Sequence, residues 1–473
     1  MSHPLPTKSL KKQIESSIHN RPDDPLPYKT NTRKAIRARD LRASEWQDYE
    51  ERRKQATERR QEAIENLHLL HKQLKSRWQE RGIDLHEAST AEDACRIITG
   101  IIQSTGADRV LKSKTMLGEE IGLANYLERR GITPIETDLG EYIVQLRGEA
   151  PSHITMPAMH LTREDVGELF AERLGAPYTS NPSELTKIAR QTLRREFLGA
   201  KVGLCGVNFA VAETGHLATV TNEGNGRMVT TLPRIVIALM GWERVTQSLE
   251  DLGLLWQLLA RSATGQRATV YLNLLAGPSP GPTGPDEVHV VIVDNGRKRI
   301  YQDVELREVL RCIRCGACLN VCPVYQQVGG HPYGGTYPGP IGAVLTPLLE
   351  GLEKAPDHPF ASSLCGACEE ICPVSIPLPR MLLLLRRRII EQTKEKSTEA
   401  KAWDAFQWMM SRPERYEHLG KLARAAQRFL PLNRIPEPWW SKDRDTPIFA
   451  AKSFRELFNE KQHMENKKNR KNI

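Results

Sequence analysis

The sequence predicts two successive folds: a parallel α/β region over residues 91–301, then a mainly α-helical segment over 302–395 built around cysteines. Three observations carry this expectation. From Ala91 onward, helical and extended stretches alternate, the pattern of a parallel sheet covered by helices. Seven of the nine cysteines fall between residues 312 and 372. Ahead of both regions, residues 31–82 contain no proline and are dense in Arg, Glu, Ala and Gln, so they predict one or two long helices.

Taken in order, residues 1–30 are polar and dotted with Pro4, Pro6, Pro22, Pro25 and Pro27, and predict irregular chain. Residues 31–90 form a helical extension whose apolar stripe, Leu67, Leu70 and Leu74, suits a core or a partner helix. In the α/β region, Ala91–Ile102 predicts a helix and Arg109–Lys112 a strand. Leu117–Arg130 predicts a helix stopped by Gly131, and Thr133–Thr137 an extended segment. Helices follow at 163–174 and 184–197, with strands near 202–211, 216–220 and 234–239. The run VHVVIV, Val288–Val293, is of strand type, and GPSPGPTGP before it is a surface loop. Helices are expected again at 378–392 and 399–410. Residues 396–473 form a helical and Pro/Trp-rich extension (Pro431, Pro436, Pro438, Trp439, Trp440) with a basic, frayed tail.

Composition narrows the function classes. The 473 residues suffice for several domains, and 39% hydrophobic with 26% charged residues is an ordinary globular balance. The net charge of +9 is modest for this length, and no zinc-finger, aromatic–basic or basic-zipper pattern accompanies it, so nucleic acid is not an expected partner. No apolar run reaches the roughly 18 residues of a membrane span; Met381–Leu385 is cut off by Arg386, Arg387 and Arg388. The start, MSHPLPTKSLKK, lacks the apolar core of a signal peptide. The expected location is the cytoplasm, with peripheral attachment to a membrane left open. That compartment is reducing, where grouped cysteines bind metals or do chemistry more often than they form disulfides. No G-x-G-x-x-G follows a strand in dinucleotide-binding position and no P-loop is present, so no NAD or flavin motif supports an organic redox cofactor.

The first cysteine motif is Cys312-Ile-Arg-Cys315-Gly-Ala-Cys318-Leu-Asn-Val-Cys322-Pro323. This C-x2-C-x2-C-x3-C-P run is the iron–sulfur signature of bacterial ferredoxins, whose fourth cysteine serves the other cluster of a pair. Two-residue gaps let three thiolates wrap one corner of a cubane. Pro323, without an N–H, fixes the chain just after the fourth ligand. The second motif, Cys365-Gly-Ala-Cys368-Glu-Glu-Ile-Cys372-Pro373, matches the last three cysteines of the same run, with Ser362 where the first would fall. Crossed ligation then predicts one four-cysteine site of Cys312, Cys315, Cys318 and Cys372. It predicts a second site of Cys322, Cys365 and Cys368, with Ser362 or nothing as fourth ligand. Two iron–sulfur clusters are expected, most simply two [4Fe–4S], the second being either a [4Fe–4S] cluster with a non-cysteine or open iron or a [3Fe–4S] cluster. A zinc site has no use for the third cysteine of the run. Cys95 and Cys205 stand alone in apolar contexts and predict buried small hydrophobes.

The α/β region resembles the LUD (lactate utilisation) domain in Leu111-Lys112-Ser113-Lys114-Thr115-Met116, in Glu136–Ile143 (ETDLGEYI) and in Pro151-Ser152-His153-Ile154. Further matching stretches are Glu213-Thr214-Gly215 and Thr221–Arg227 (TNEGNGR). With the cysteine motifs behind it, the whole is similar to the lactate utilisation protein B family, over roughly residues 30–460. The resemblance implies an α/β fold related to the sugar-phosphate isomerase and CoA-transferase group, followed by a ferredoxin-like dicluster domain. It implies an electron-transferring subunit of an L-lactate oxidation system, in which lactate goes to pyruvate. Its implied partners are a cysteine-rich iron–sulfur protein and a shorter LUD-domain protein. The family pattern has the same truncated second motif.

Within the LUD stretches, Asn222-Glu223-Gly224-Asn225 either line a polar pocket, with Glu223 accepting a proton or a hydroxyl, or simply shape a turn. Lys112 and Lys114 could hold a carboxylate, although a lysine at a strand end is usually solvated. No catalytic residue is assigned. Two other functions compete with the lactate-linked relay. One is an iron–sulfur subunit of another hydroxyacid or disulfide reductase system. The other is a ligand-binding LUD module whose clusters are structural or sense redox state.

Overall fold

The computed structural model describes residues 10–19, 27–279, 281, 283–393, 398–429 and 450–471. The chain divides into two compact units, Met1–Ile389 and Ile390–Ile473. The first contains ten strands: β1 (Asp84–Ala88), β2 (Arg109–Lys112), β3 (Thr133–Glu136), β4 (Val202–Gly206), β5 (Phe209–Val211), β6 (Leu217–Thr221), β7 (Ile235–Gly241), β8 (Val245–Thr246), β9 (Tyr271–Leu275) and β10 (Glu287–Val293).

Six of them form a parallel sheet in the order β1-β10-β7-β4-β2-β3. Both faces are covered, so its central strands are apolar in consecutive positions rather than alternately. In β7, Ile237 and Leu239 pack on one side with Cys95, Ile98 and Ile102 of the helix Ala91–Ser104. Val236, Ala238 and Met240 face the opposite core, which contains Leu255 and Leu258 of the helix Leu249–Thr264. Cys95 and Cys205 are buried, as their apolar contexts predict. A smaller sheet, in the order β8-β5-β6-β9, lies beside the first.

The sheet places the site. The chain runs outward from β2 to β3, then returns to the other side of β2 as β4 and continues to β7 and β10. Strand order therefore reverses between β2 and β4, and in open α/β sheets the crevice at the carboxyl ends of such strands is where ligands bind.

Several elements differ from expectation. Leu10–His19 is helical and a helix begins at Pro27, within the stretch 1–30 expected to be irregular. The extension 31–90 holds not only helices at Pro27–Ala43, Tyr49–Glu65 and Leu67–Glu80 but also β1, an edge strand recruited by β10. Leu117–Arg130 is two short helices, Met116–Glu120 and Leu123–Glu128, because Gly122 between them takes φ +65°. The expected strand 202–211 is broken into β4 and β5, which belong to different sheets.

From Asp303 to Ile389, short helices and 3₁₀ turns surround the cysteines, and no strand occurs among the described residues. In the second unit the helices Thr398–Met410, Pro413–Phe429 and Phe454–Lys471 are described, so the basic tail is helical as far as Lys471. Arg424 pairs with Glu456 at 3.3 Å and Arg455 with Glu417 at 3.1 Å. Pro431, Pro436, Pro438, Trp439 and Trp440 lie outside the described residues.

Candidate iron–sulfur centres and the adjoining cavity

The two cysteine loops share a backbone. In the first, Arg314 takes φ +61° and Gly316 φ +76°. In the second, Leu364 takes φ +56° and Gly366 φ +87°. A non-glycine residue in the left-handed region costs on the order of 1 kcal/mol, so its occurrence at the matching position of both loops marks a shape they must hold. That shape turns an amide toward sulfur, Arg314 N–H donating to Cys312 Sγ at 3.4 Å; after the second loop, Ile376 N–H donates to Cys372 Sγ at 3.5 Å. In the second loop Leu364 N–H donates to Ser362 Oγ at 3.1 Å, the same contact with oxygen in place of sulfur. Ser362 therefore stands where the first loop has Cys312.

The fold brings the seven cysteines into two groups. Cys315 lies within electrostatic reach of Cys372 and Cys312, and Cys318 of Cys315, Cys312 and Cys372. Cys368 lies within reach of Cys322 and Cys365. Cys318 also lies within electrostatic reach of Cys368, so the groups adjoin. Cys315, Cys322, Cys368 and Cys372 are buried, Cys312 and Cys318 half-buried, and Cys365 exposed.

These residues fit iron–sulfur clusters on three counts. Burial, reinforced by the neighbouring thiols Cys322 and Cys365, pushes Cys368 up to about 12. Burial likewise raises Cys315, Cys318, Cys322 and Cys372. Buried thiols that suppress one another's ionisation become thiolates together only beside compensating cations. Amides already point at two of the sulfurs. The buried Tyr333 hydroxyl, which feels Cys322 and Cys318, has no hydrogen-bond partner and is free to donate to a cluster sulfide.

The N-terminal helix Tyr49–Glu65 secures both loops. Arg60, fully buried, donates to the carbonyls of Val245 (2.6 Å), Glu243 (3.1 Å), Leu310 (3.0 Å) and Arg311 (3.3 Å). It thus ties the α/β body to the residues just before Cys312. Arg53, two turns earlier on the same face, donates to the carbonyls of Cys372 (2.7 Å) and Glu369 (3.1 Å). Nothing in the sequence pattern of this helix announced either role; both arginines sit among many others.

At the carboxyl ends of β2, β4 and β7 lies a cavity of about 470 Å³. Its lining includes Lys114 and Thr115 after β2, Asn208 after β4, Arg244 after β7, Thr219 of β6, and Arg314 of the first cysteine loop. Asn222, Glu223 and Asn225 also line it, while Gly224, at φ +77°, begins the helix Asn225–Thr231, so the stretch both shapes a turn and borders the cavity. Glu223 accepts from Leu139 N–H at 3.0 Å; desolvation and the nearby Asp138 raise its pKa to about 7.

The two lysines part company. Lys112 is fully buried, not solvated as a strand-end lysine was expected to be. It pairs with Glu119 at 3.0 Å and with Glu136, and is turned away from the cavity. Lys114 lines the cavity and lies 3.3 Å from Glu141.

Below the cavity runs a buried ionic chain. Glu120 takes both ends of Arg297 at 2.8 and 2.7 Å and accepts from Tyr337 OH at 2.7 Å. Glu243 accepts from Arg297 at 2.7 Å and lies 3.4 Å from Arg314. Burial opposes ionisation of Glu243, but Arg297, Arg314 and Arg244 outweigh it and hold the carboxyl at about 2. Arg314 stacks over the Tyr337 ring at 4.5 Å, and Arg244 donates to the Cys312 carbonyl at 3.2 Å. The cavity and the first cysteine loop thus share a wall.

Comparison with known proteins agrees with this architecture. The family models that match describe the LUD domain over residues 71–293 and the 4Fe-4S dicluster domain over 308–376. A third describes the C-terminal segment of lactate utilisation protein B over 387–463. The chain is similar to the lactate utilization protein B of Bacillus subtilis, 42% identical over 99% of each chain. The protein of that name from Exiguobacterium is 46% identical, covering 88% of this chain and 90% of its own. An uncharacterized electron transport protein of Escherichia coli, YkgF, is 42% identical over 97% of this chain and 99% of its own. The LUD domain, the dicluster domain and the C-terminal segment follow one another along this chain, and with 42% identity over nearly its full length to such a relative the chain belongs to the lactate utilisation protein B family.

Proposed function

We propose that this chain is the electron-transferring subunit of a system that oxidises L-lactate to pyruvate. The partition of the seven cysteines supports this reading most directly: Cys312, Cys315, Cys318 and Cys372 form one group, Cys322, Cys365 and Cys368 the other, and Cys318 lies within electrostatic reach of Cys368 across the boundary. Clusters held by these two groups would supply one-electron transfer between adjacent centres. The chain's own residues do the rest. Cys312, Cys315, Cys318 and Cys372 would hold one cluster, and Cys322, Cys365 and Cys368 the other, with Ser362 Oγ at the fourth position. The amides of Arg314 and Ile376 stabilise thiolate charge. Arg53 and Arg60 fix the loops against the α/β body. Removing a hydride equivalent from an α-hydroxy acid calls for a two-electron acceptor, and cofactors normally carry that step. The partners on this reading are a cysteine-rich iron–sulfur protein and a shorter LUD-domain protein.

The test is anaerobic mixing of L-lactate with the iron-loaded chain, following cluster absorbance and EPR, with and without those two partners. Reduction is expected only when they are present. Bleaching by lactate at a turnover-competent rate without partners would move lactate oxidation into this chain and overturn the relay reading.

A further inference from the structure

We propose that the cavity at the carboxyl ends of β2, β4 and β7 is a binding site for a small organic carboxylate, held by Arg244 and Arg314 beside the first cysteine loop. The relay reading does not require a ligand on this chain, so this inference goes beyond it.

Unmet donors converge there. Arg314 Nη1 and Thr219 Oγ1 are buried without a hydrogen-bond partner, in residues only 9% and 5% exposed, and both side chains line the cavity. Lys114 Nζ, also on its wall, makes no hydrogen bond among the described residues and lies 3.3 Å from the Glu141 carboxylate. Buried polar groups are rarely left without partners, so several lining one cavity point to an acceptor supplied from outside. Among the described residues, Arg244 has no carboxylate within ion-pair distance, and its side chain donates to the Cys312 carbonyl. Both guanidiniums line the same cavity. Two guanidiniums that repel each other in a dry site are stabilised by an anion placed between them.

The charge inventory favours a monoanion. The lining carries four cations, Lys114, Arg244, Arg297 and Arg314, against three carboxylates, Asp138, Glu223 and Glu243, a surplus of one, and Asp138 and Glu223 repel a dianion. The donors left without partners at the cavity are side-chain groups, Arg314 Nη1, Thr219 Oγ1 and Lys114 Nζ, and the planar fork of arginine matches a carboxylate.

Arg314 explains the link to the cysteines. Its positive φ sits between Cys312 and Cys315, and its side chain reaches Glu243 and Tyr337 while lying within electrostatic reach of the Cys312 thiol. A ligand on Arg314 and Arg244 would touch the same loop that holds the first group of cysteines.

The experiment is anaerobic isothermal titration of the iron-loaded full chain with L-lactate, pyruvate and, as the rival anion, inorganic phosphate. At least one carboxylate is expected to bind saturably at one site. Arg244→Gln and Thr219→Val should each weaken it at least tenfold, the latter through loss of one hydrogen bond to a charged acceptor. Iron content should not change, and Arg109→Gln, in an exposed ion pair with Glu196, should bind as the parent does. Thr219→Val keeps the test decisive if Arg244→Gln fails to fold. The proposal is overturned by absence of saturable carboxylate binding at millimolar concentration, by equal affinity in the Thr219 variant, or by tighter binding of phosphate. If Arg244 only balanced the cysteine loop's charge, its variant would lose iron and the parent would bind no carboxylate.

Discussion

Replacing Arg60 by methionine removes a charge and four hydrogen bonds while keeping most of the side-chain volume. The guanidinium is fully buried, and burial, then the nearby Arg244, lowers its pKa to about 10, so it remains charged at neutral pH. Its four acceptors, the carbonyls of Glu243, Val245, Leu310 and Arg311, lie at 2.6–3.3 Å. Desolvating the guanidinium already offsets much of the gross gain, so a net of about 1 kcal/mol per bond is appropriate, or about 4 kcal/mol in all. For a chain this large roughly 2 °C accompanies each kcal/mol, and the apparent thermal midpoint of the iron-loaded protein should fall by about 8 °C. Leu310 and Arg311 immediately precede Cys312, so Arg60→Met should also release iron faster from the first cysteine group than from the second. The measurement is thermal unfolding by circular dichroism with parallel iron release, against Lys54→Met on the exposed side of the same helix, which should shift by no more than about 0.5 kcal/mol. A midpoint drop below about 2 °C, or a drop equal to that of Lys54→Met, would refute the claim that this arginine joins the two parts of the first unit.

Cys312→Ala and Cys372→Ala should abolish one and the same EPR signal despite their separation in sequence, while Cys322→Ala should resemble Cys365→Ala; a common signal lost in Cys312→Ala and Cys322→Ala would rule out crossed ligation. The stability of the protein should decline below about pH 6.5 through His153. Burial, then Lys114, lowers its pKa from 6.5 to about 3, and its Nδ1 accepts from the amides of Thr155 (3.1 Å) and Met156 (3.2 Å). A folded value below the unfolded one means that the unfolded chain takes the proton first. The contribution is therefore unaffected above pH 6.5 and amounts to a loss of about 1.4 kcal/mol by pH 5.5. Urea midpoints at pH 7.5 and 5.5 check it: the difference should shrink by that amount in His153→Gln, and an unchanged difference would show that His153 is not the group responsible.

The cysteine spacing by itself determined the chemistry, because cluster ligands must be supplied by short loops and short loops are written in consecutive residues. Ser362 could be read as the counterpart of Cys312 for the same reason: a two-residue gap fixes a local backbone, and Leu364 and Arg314 adopt it alike. The parallel sheet was legible in its helix–strand alternation, since strands buried on both faces must be apolar throughout. What the sequence left open depended on partners distant in the chain. Strand β1 forms only because β10 offers an edge, and the break between β4 and β5 follows from their pairing with different strands. Lys112 and Lys114, two residues apart, were indistinguishable as letters. Strand β2 ends at Lys112, so the chain leaves the sheet before Lys114; one enters a buried pair with Glu119 and Glu136 and the other reaches the cavity wall. Arg60, Arg244 and Arg314 likewise acquired their roles only on folding. A guanidinium's effect is set by the carbonyls and carboxylates within about 3 Å of it, and tertiary packing alone brings residues so far apart in sequence to that distance.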